Sequence, residues 1–215
     1  MERRERGRRR ERPSQRLPWH STIGPSYIPD AFRTANEADP DALLLYNDFG
    51  FETDDDFAPT AAKRRATLEL LDGVVADDVP VHGLGVQAHL EAGGFAEAFD
   101  VRAYRQFLAD VADRGLKIMI TELDVLDDGL PADVGPRDRA VADVYRRYLE
   151  AALDEPAVVS LMNFGLSDRY TWLEEDTPRD DGAPRRPLAF DDGLRPKPAY
   201  AAIQASLREA PTREA

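Results

Sequence analysis

The chain of 215 residues contains no cysteine and only three lysines (Lys63, Lys117 and Lys197), three histidines and two tryptophans. Without thiols there is no disulfide framework, zinc–thiolate site or cysteine nucleophile. No apolar run approaches the ~18 residues of a membrane-spanning helix. The basic start is followed by no apolar stretch, so Arg3 and Arg4 do not read as part of a twin-arginine or secretory signal. Hydrophobic residues make up 42% of the chain, enough for a core and too many for wholesale disorder. The length suits one domain of roughly 100–200 residues, or part of something larger.

What charge there is lies unevenly. Residues 1–16, MERRERGRRRERPSQR, hold eight Arg and three Glu, a net +5, whereas the other 199 residues carry a net −18. So acidic a body repels nucleic acid phosphates and anionic membranes, and neither is expected as a partner. Asp (26) outnumbers Glu (15), and with so few lysines this resembles the composition of proteins from salty surroundings. The first 16 residues show no apolar periodicity and read as a disordered tail. An out-of-frame or misplaced start accounts for it better than a nucleic-acid-binding arm.

From Trp19 the pattern alternates. Apolar spacing predicts helices over 27–36, 61–76, 101–114, 137–154 and 198–207. Short apolar runs at 42–46, 116–120 and 157–162 and a glycine-interrupted run at 81–86 predict strands, that at 42–46 suited to burial on both faces and that at 116–120 also buried. Strands each followed by a helix make parallel β/α units with right-handed crossovers. Polar residues gather where the strands end: Asn47 and Asp48, Gln87 and His89, Glu122 and Asp124, Ser167 and Asp168. In parallel α/β proteins that edge carries the site. His82, His89, Glu122 and Asp124 also allow a metal site, but His82 falls early in its strand, away from that edge.

The segments LLLYNDFGFE, VHGLGVQAHL, GLKIMITELDV, FGLSDRYTWL and PLAFDDGLRPKPAYAAI resemble, in order, those of glycoside hydrolase family 10. These are retaining endo-β-1,4-xylanases built on a (β/α)8 TIM barrel. The resemblance covers residues 17–207, leaving 208–215 as a second disordered tail. It implies an α/β fold holding only the last four β/α units, an incomplete barrel. It implies that Glu122 is the catalytic nucleophile, that His89 hydrogen-bonds it and that Asp124 orients His89. Gln87, Trp172 and Phe164 fall on substrate-binding positions, with Trp172 an aromatic wall of the sugar cleft. No cofactor and no metal are implied; the substrate is xylan or xylo-oligosaccharides.

The departures are as informative. The family's acid/base glutamate belongs to a WDVVNE-type segment shortly before the Trp19 region, where this chain has the Arg-rich stretch. Glu2, Glu5 and Glu11 follow no strand, and Glu37 lies in the helix segment AFRTANEADP rather than at a strand end, so none takes that role. Phe164 replaces the tryptophan of the family's WG motif; Phe49 and Gly50 replace the last two residues of its NDYN motif. Four strands do not close an eight-stranded barrel. They leave two unpaired edges and an apolar inner face. Without general acid help the reaction slows by about 10²–10⁴-fold, so the isolated chain is expected to be inactive on xylan. Two alternatives stand beside this: a half-barrel completed by a separate N-terminal half or by self-association through its strand edges, and a non-catalytic xylo-oligosaccharide binder using Trp172, Tyr170 and Phe164. Family members are usually extracellular, but with no signal in this chain the compartment stays open.

Overall fold

The computed structural model describes residues 18–54 and 59–213. The stretch read as an Arg-rich tail lies outside them. The described chain divides into two units, up to Ala42 and from Leu43 onward.

In the first unit a short helix, α1 (Pro18–Ile23), precedes α2 (Tyr27–Ala38). Pro18 opens α1, where its missing N–H costs nothing. Gly24, at φ +92°, closes it, its N–H bonded to the His20 carbonyl at 3.0 Å. The sequence signal predicted α2 but not α1, which is too short to show periodicity. Ile28, Ala31, Phe32 and Ala35 share one face of α2, and neither helix has a buried residue. Periodicity marks a face that can be covered, not one that is.

The second unit begins with β1 (Leu45–Asp48) and α3 (Thr60–Ala76). It continues with β2 (Gly83–Val86), β3 (His89–Glu91), α4 (Phe95–Ala98) and α5 (Val101–Ala112). β4 (Lys117–Leu126), α6 (Val134–Ala152) and β5 (Val158–Asn163) follow. A 3₁₀ turn (Asp168–Tyr170), α7 (Leu173–Asp176) and α8 (Pro198–Glu209) complete it. All strand pairings are parallel, in the order β1-β2-β4-β5, with β3 beside the far end of β4. This is the α/β fold of four successive β/α units that the sequence predicted, an open parallel sheet rather than a closed barrel.

Leu84, Val86, Ile118 and Ile120 are wholly buried, as are Tyr104, Leu108 and Val111 of α5 and Val141, Tyr145 and Leu149 of α6. Each such aliphatic side chain contributes roughly 1.5–3 kcal/mol. Leu43, before β1, and Val159 and Met162, in β5, are exposed. Leu43 precedes one outer strand of the described sheet, and Val159 and Met162 lie on the other.

Two strand boundaries differ from the sequence reading by three residues or more. β1 starts three residues later than predicted, so Asn47 and Asp48 are strand residues. β4 extends six residues beyond the predicted end and contains Glu122 and Asp124. Polar residues there looked like loop, but Glu122 and Asp124 donate their backbone N–H groups to the Gln87 and Ala88 carbonyls at 3.0 and 3.4 Å. Strand pairing prevails over composition where neighbours supply the partners. The boundary drawn at 207/208 falls inside α8. Beyond α8, Arg213 donates to the carbonyls of Leu153 and Val158 at 2.7 and 3.3 Å.

Candidate active site

β2 and β3 are one strand broken at Gln87 and Ala88, opposite a bulge in β4. Pairing steps from Val86↔Ile120 to His89↔Asp124, so one residue more is used on β4 than on the broken strand. Ala88 absorbs the irregularity at φ +61°, in the left-handed region that an alanine seldom adopts. Bulges re-aim side chains, and this one delivers His89 to β4. His89 Nδ1 lies 2.9 Å from Asp124 Oδ1, and Nε2 lies 3.3 Å from Glu122 Oε2. Asp124 is 1% exposed. Its other oxygen accepts the indole N–H of Trp172 at 2.8 Å.

The second oxygen of Glu122 has its own donor. Asn47 Nδ2 approaches Oε1 at 2.9 Å, and the Thr121 hydroxyl donates to Asn47 Oδ1 at 2.8 Å. That bond fixes which end of the Asn47 amide faces Glu122. Asn47 sits on β1 and must cross β2 to reach β4. Gly85 allows the crossing, because a Cβ there would lie 2.4 Å from Asn47 Oδ1. Asn47 and Gly85 occupy one register position of neighbouring strands. The sequence reading put Asn47 at the strand edge without assigning it a partner, and it missed Thr121. The signal it had was the glycine-interrupted strand.

Electrostatics favour a protonated His89. Burial works against the imidazolium, but the hydrogen bond and charge of Asp124, with those of Glu122, outweigh it and raise the pKa above its ordinary value. Two ring N–H donors then face two carboxylates. A carboxylate receiving one donor at each oxygen is held in a single rotamer, which suits a group that must strike one carbon.

The ring residues lie beside this network. Phe164 packs edge-on against His89 at 5.3 Å and against Trp172 at 6.2 Å. Trp172 also meets His89 at 5.4 Å. With 43% and 39% exposure, Phe164 and Trp172 present open aromatic surface. Gln87 is half-buried at the bulge, its N–H bonded to the Asp48 carbonyl and its own carbonyl to the Glu122 N–H, both at 3.0 Å. Its backbone thus ties β1 to β4 at the level of the site.

Other residues grouped at this edge by sequence are employed elsewhere. Asp48 takes the Lys63 ammonium and the Tyr46 hydroxyl, each at 3.0 Å. Asp168 is buried against Lys197 at 2.8 Å, and the Ser167 hydroxyl donates to the Asp191 carbonyl at 2.6 Å. His82 bonds to the Leu44 N–H through Nδ1 at 2.9 Å, just before β2. Among the described residues no group of three or more His, Asp or Glu is placed to hold a metal ion.

Comparison with known proteins gives the family. The model of glycosyl hydrolase family 10 matches residues 3–206. The chain belongs to this family. The family match begins within the Arg-rich stretch rather than at the boundary drawn from charge. Endo-1,4-beta-xylanase B of Thermotoga neapolitana is 35% identical over 193 residues, which is 89% of this chain and 51% of that protein. Among solved structures, native xylanase 10B from Thermotoga maritima superposes with a TM-score of 0.76 at 34% identity, covering 89% of this chain and 54% of that one. Xylanase 10B from Thermotoga petrophila, in complex with xylobiose, gives 0.75 at 33% identity, with the same coverage. The chain spans about half the length of these family 10 relatives. The half-barrel in the fold is the same fact in structural form.

Proposed function

We propose that this family 10 chain carries the nucleophile half of a retaining endo-β-1,4-xylanase site, with Glu122 as the attacking carboxylate. The observation that supports the reading is the pair of donors, Asn47 and His89, one on each oxygen of Glu122 at the C-terminal part of β4. In a retaining reaction Glu122 forms a bond to the anomeric carbon while the bond from that carbon to the leaving oxygen breaks. A second carboxyl about 5–5.5 Å away protonates that oxygen and later deprotonates water. None of the described residues is assigned that second role. Trp172 and Phe164 offer the apolar wall for a pyranose face, and Gln87 lies at the bulge beside it. Asp124 and His89 act by holding Glu122.

The missing acid defines the test. Xylan has a poor leaving group and needs the proton; a dinitrophenyl xylobioside does not. The purified chain is expected to leave xylan intact, yet to form a covalent xylobiosyl adduct on the Glu122 peptide with a 2-fluoro dinitrophenyl xylobioside, read by mass spectrometry. Glu122→Gln is expected to form none. An adduct on another residue, or one that survives Glu122→Gln, overturns the assignment; robust xylan hydrolysis overturns the need for a second half. Should xylo-oligosaccharide bind with no adduct formed, and Trp172→Ala abolish that binding, the non-catalytic binder becomes the better reading.

A further inference from the structure

Behind the site a second glutamate is placed quite differently. Glu52 follows β1 in a loop and is only 5% exposed. Oε2 accepts the Phe51 N–H at 3.0 Å, while Oε1 is buried with no hydrogen bond of ordinary geometry among the described residues. Arg64 of α3 looks like its counter-ion but directs Nε and one terminal nitrogen to the Phe51 carbonyl, at 2.8 and 2.6 Å. The carboxyl interacts instead with the Tyr148 hydroxyl of α6, which is paired with the Tyr104 hydroxyl of α5 at 2.8 Å. A carboxylate needs donors on both oxygens, and burying one without them is costly. A neutral carboxyl brings its own donor to a phenol oxygen.

We propose that Glu52 is a buried carboxylic acid that donates to Tyr148 in mildly acidic solution, and that its ionisation adds a negative charge within the field of His89. The surrounding groups are compatible with this. Arg64 faces it from α3, Tyr104 from α5, Tyr148 from α6 and His89 from β3; Asp54 and Asp100 act on Arg64. Burial pushes the Glu52 carboxyl from 4.5 up to about 7, against the pull of backbone N–H groups, Arg64 and His89. The inference stands apart from the glycosidase reading, since it needs no substrate.

The sign of the pH effect follows. Between 4.5 and about 7 the folded chain holds a proton that the unfolded chain has lost, so this group's contribution to stability falls as pH rises across that window. Glu52→Gln, which mimics the neutral acid, is expected to remove that fall.

The test is carboxyl-carbon NMR of the 215-residue chain grown on ¹³C-glutamate. One glutamate is expected to titrate near 7, and its signal to be absent from Glu52→Gln. In the same variant the His89 imidazole midpoint is expected to move down. Every glutamate titrating in the ordinary range overturns the proposal, and that result needs no variant to fold. A signal near 7 that survives Glu52→Gln overturns the assignment, and an unmoved His89 midpoint overturns the coupling.

Discussion

Two charged networks flank the end of β4, built from similar residue types, and they differ in what they leave over. At the site, Trp172, Asp124, His89, Glu122, Asn47 and Thr121 form a chain with its carboxylate half-exposed. Just beyond β4, Asp127 is fully buried among Arg137, Arg179 and Arg185, with nitrogen–oxygen separations of 3.5, 3.7 and 3.1 Å. Arg179 also ties down the carbonyls of Asp127 and Leu130, at 2.6 and 2.8 Å. Further along, Lys197, Asp168, Arg186 and Asp138 repeat the pattern. The second network is buried around Asp127, although Arg137 Nε and one terminal nitrogen find no hydrogen bond among the described residues, and it pins the segment after β5 against the start of α6. The first stops at a carboxylate that still has room to react. Ionisable residues in a cluster are therefore weak evidence for chemistry; the exposure of the carboxylate separates the two.

The comparison is most sharply broken at Asp127. Asp127→Ala leaves the buried Arg137 guanidinium without its ion-pair partner and is expected to destabilise the chain by about 3–5 kcal/mol, read by urea denaturation. A loss within 1 kcal/mol of zero, as for a surface pair, removes the distinction. Asp124→Asn is expected to cost less, about 1.5–3 kcal/mol for charge-assisted hydrogen bonds. Its signature is a fall in the His89 midpoint, measured by NMR. The stability tied to the His89 imidazolium is full below its ordinary value of 6.5 and is lost as pH rises through the raised folded value. That loss is expected to flatten in Asp124→Asn. The smallest effect on stability, about 1 kcal/mol, is expected from Gly85→Ala, since the atom in the way is the end of a side chain that can swing aside. Adduct formation at Glu122 is expected to slow by about tenfold, roughly 1.4 kcal/mol. An unchanged rate means that Asn47 does not act on the nucleophile.

The four strands and their helices were legible because short apolar runs and helical spacing are local signals. The short helices α1, α4 and α7, of four to six residues, were not, since less than two turns cannot display a period. The site was partly legible. His89, Glu122 and Asp124 stood out through the ITELDV and GLGVQAHL segments, while Thr121 and the role of Asn47 did not. Apart from the family motif, residue pattern did not distinguish Asp168 from Asp124: both are aspartates near strand ends, and the buried Lys197 beside Asp168 marks it as structural.

By itself, then, the sequence determined the order of β/α units, the family and the few carboxylates worth testing, because these depend on neighbours in the chain and on motif spacing. The tertiary structure decided which side chains meet. Glu122 and Asn47 are 75 residues apart, and Asp124 and Trp172 are 48 apart. A missing Cβ at Gly85 and one alanine in the left-handed region at position 88 bring these groups within hydrogen-bonding distance. Such close approaches depend on register between strands, and register is a property of the assembled sheet rather than of any one segment.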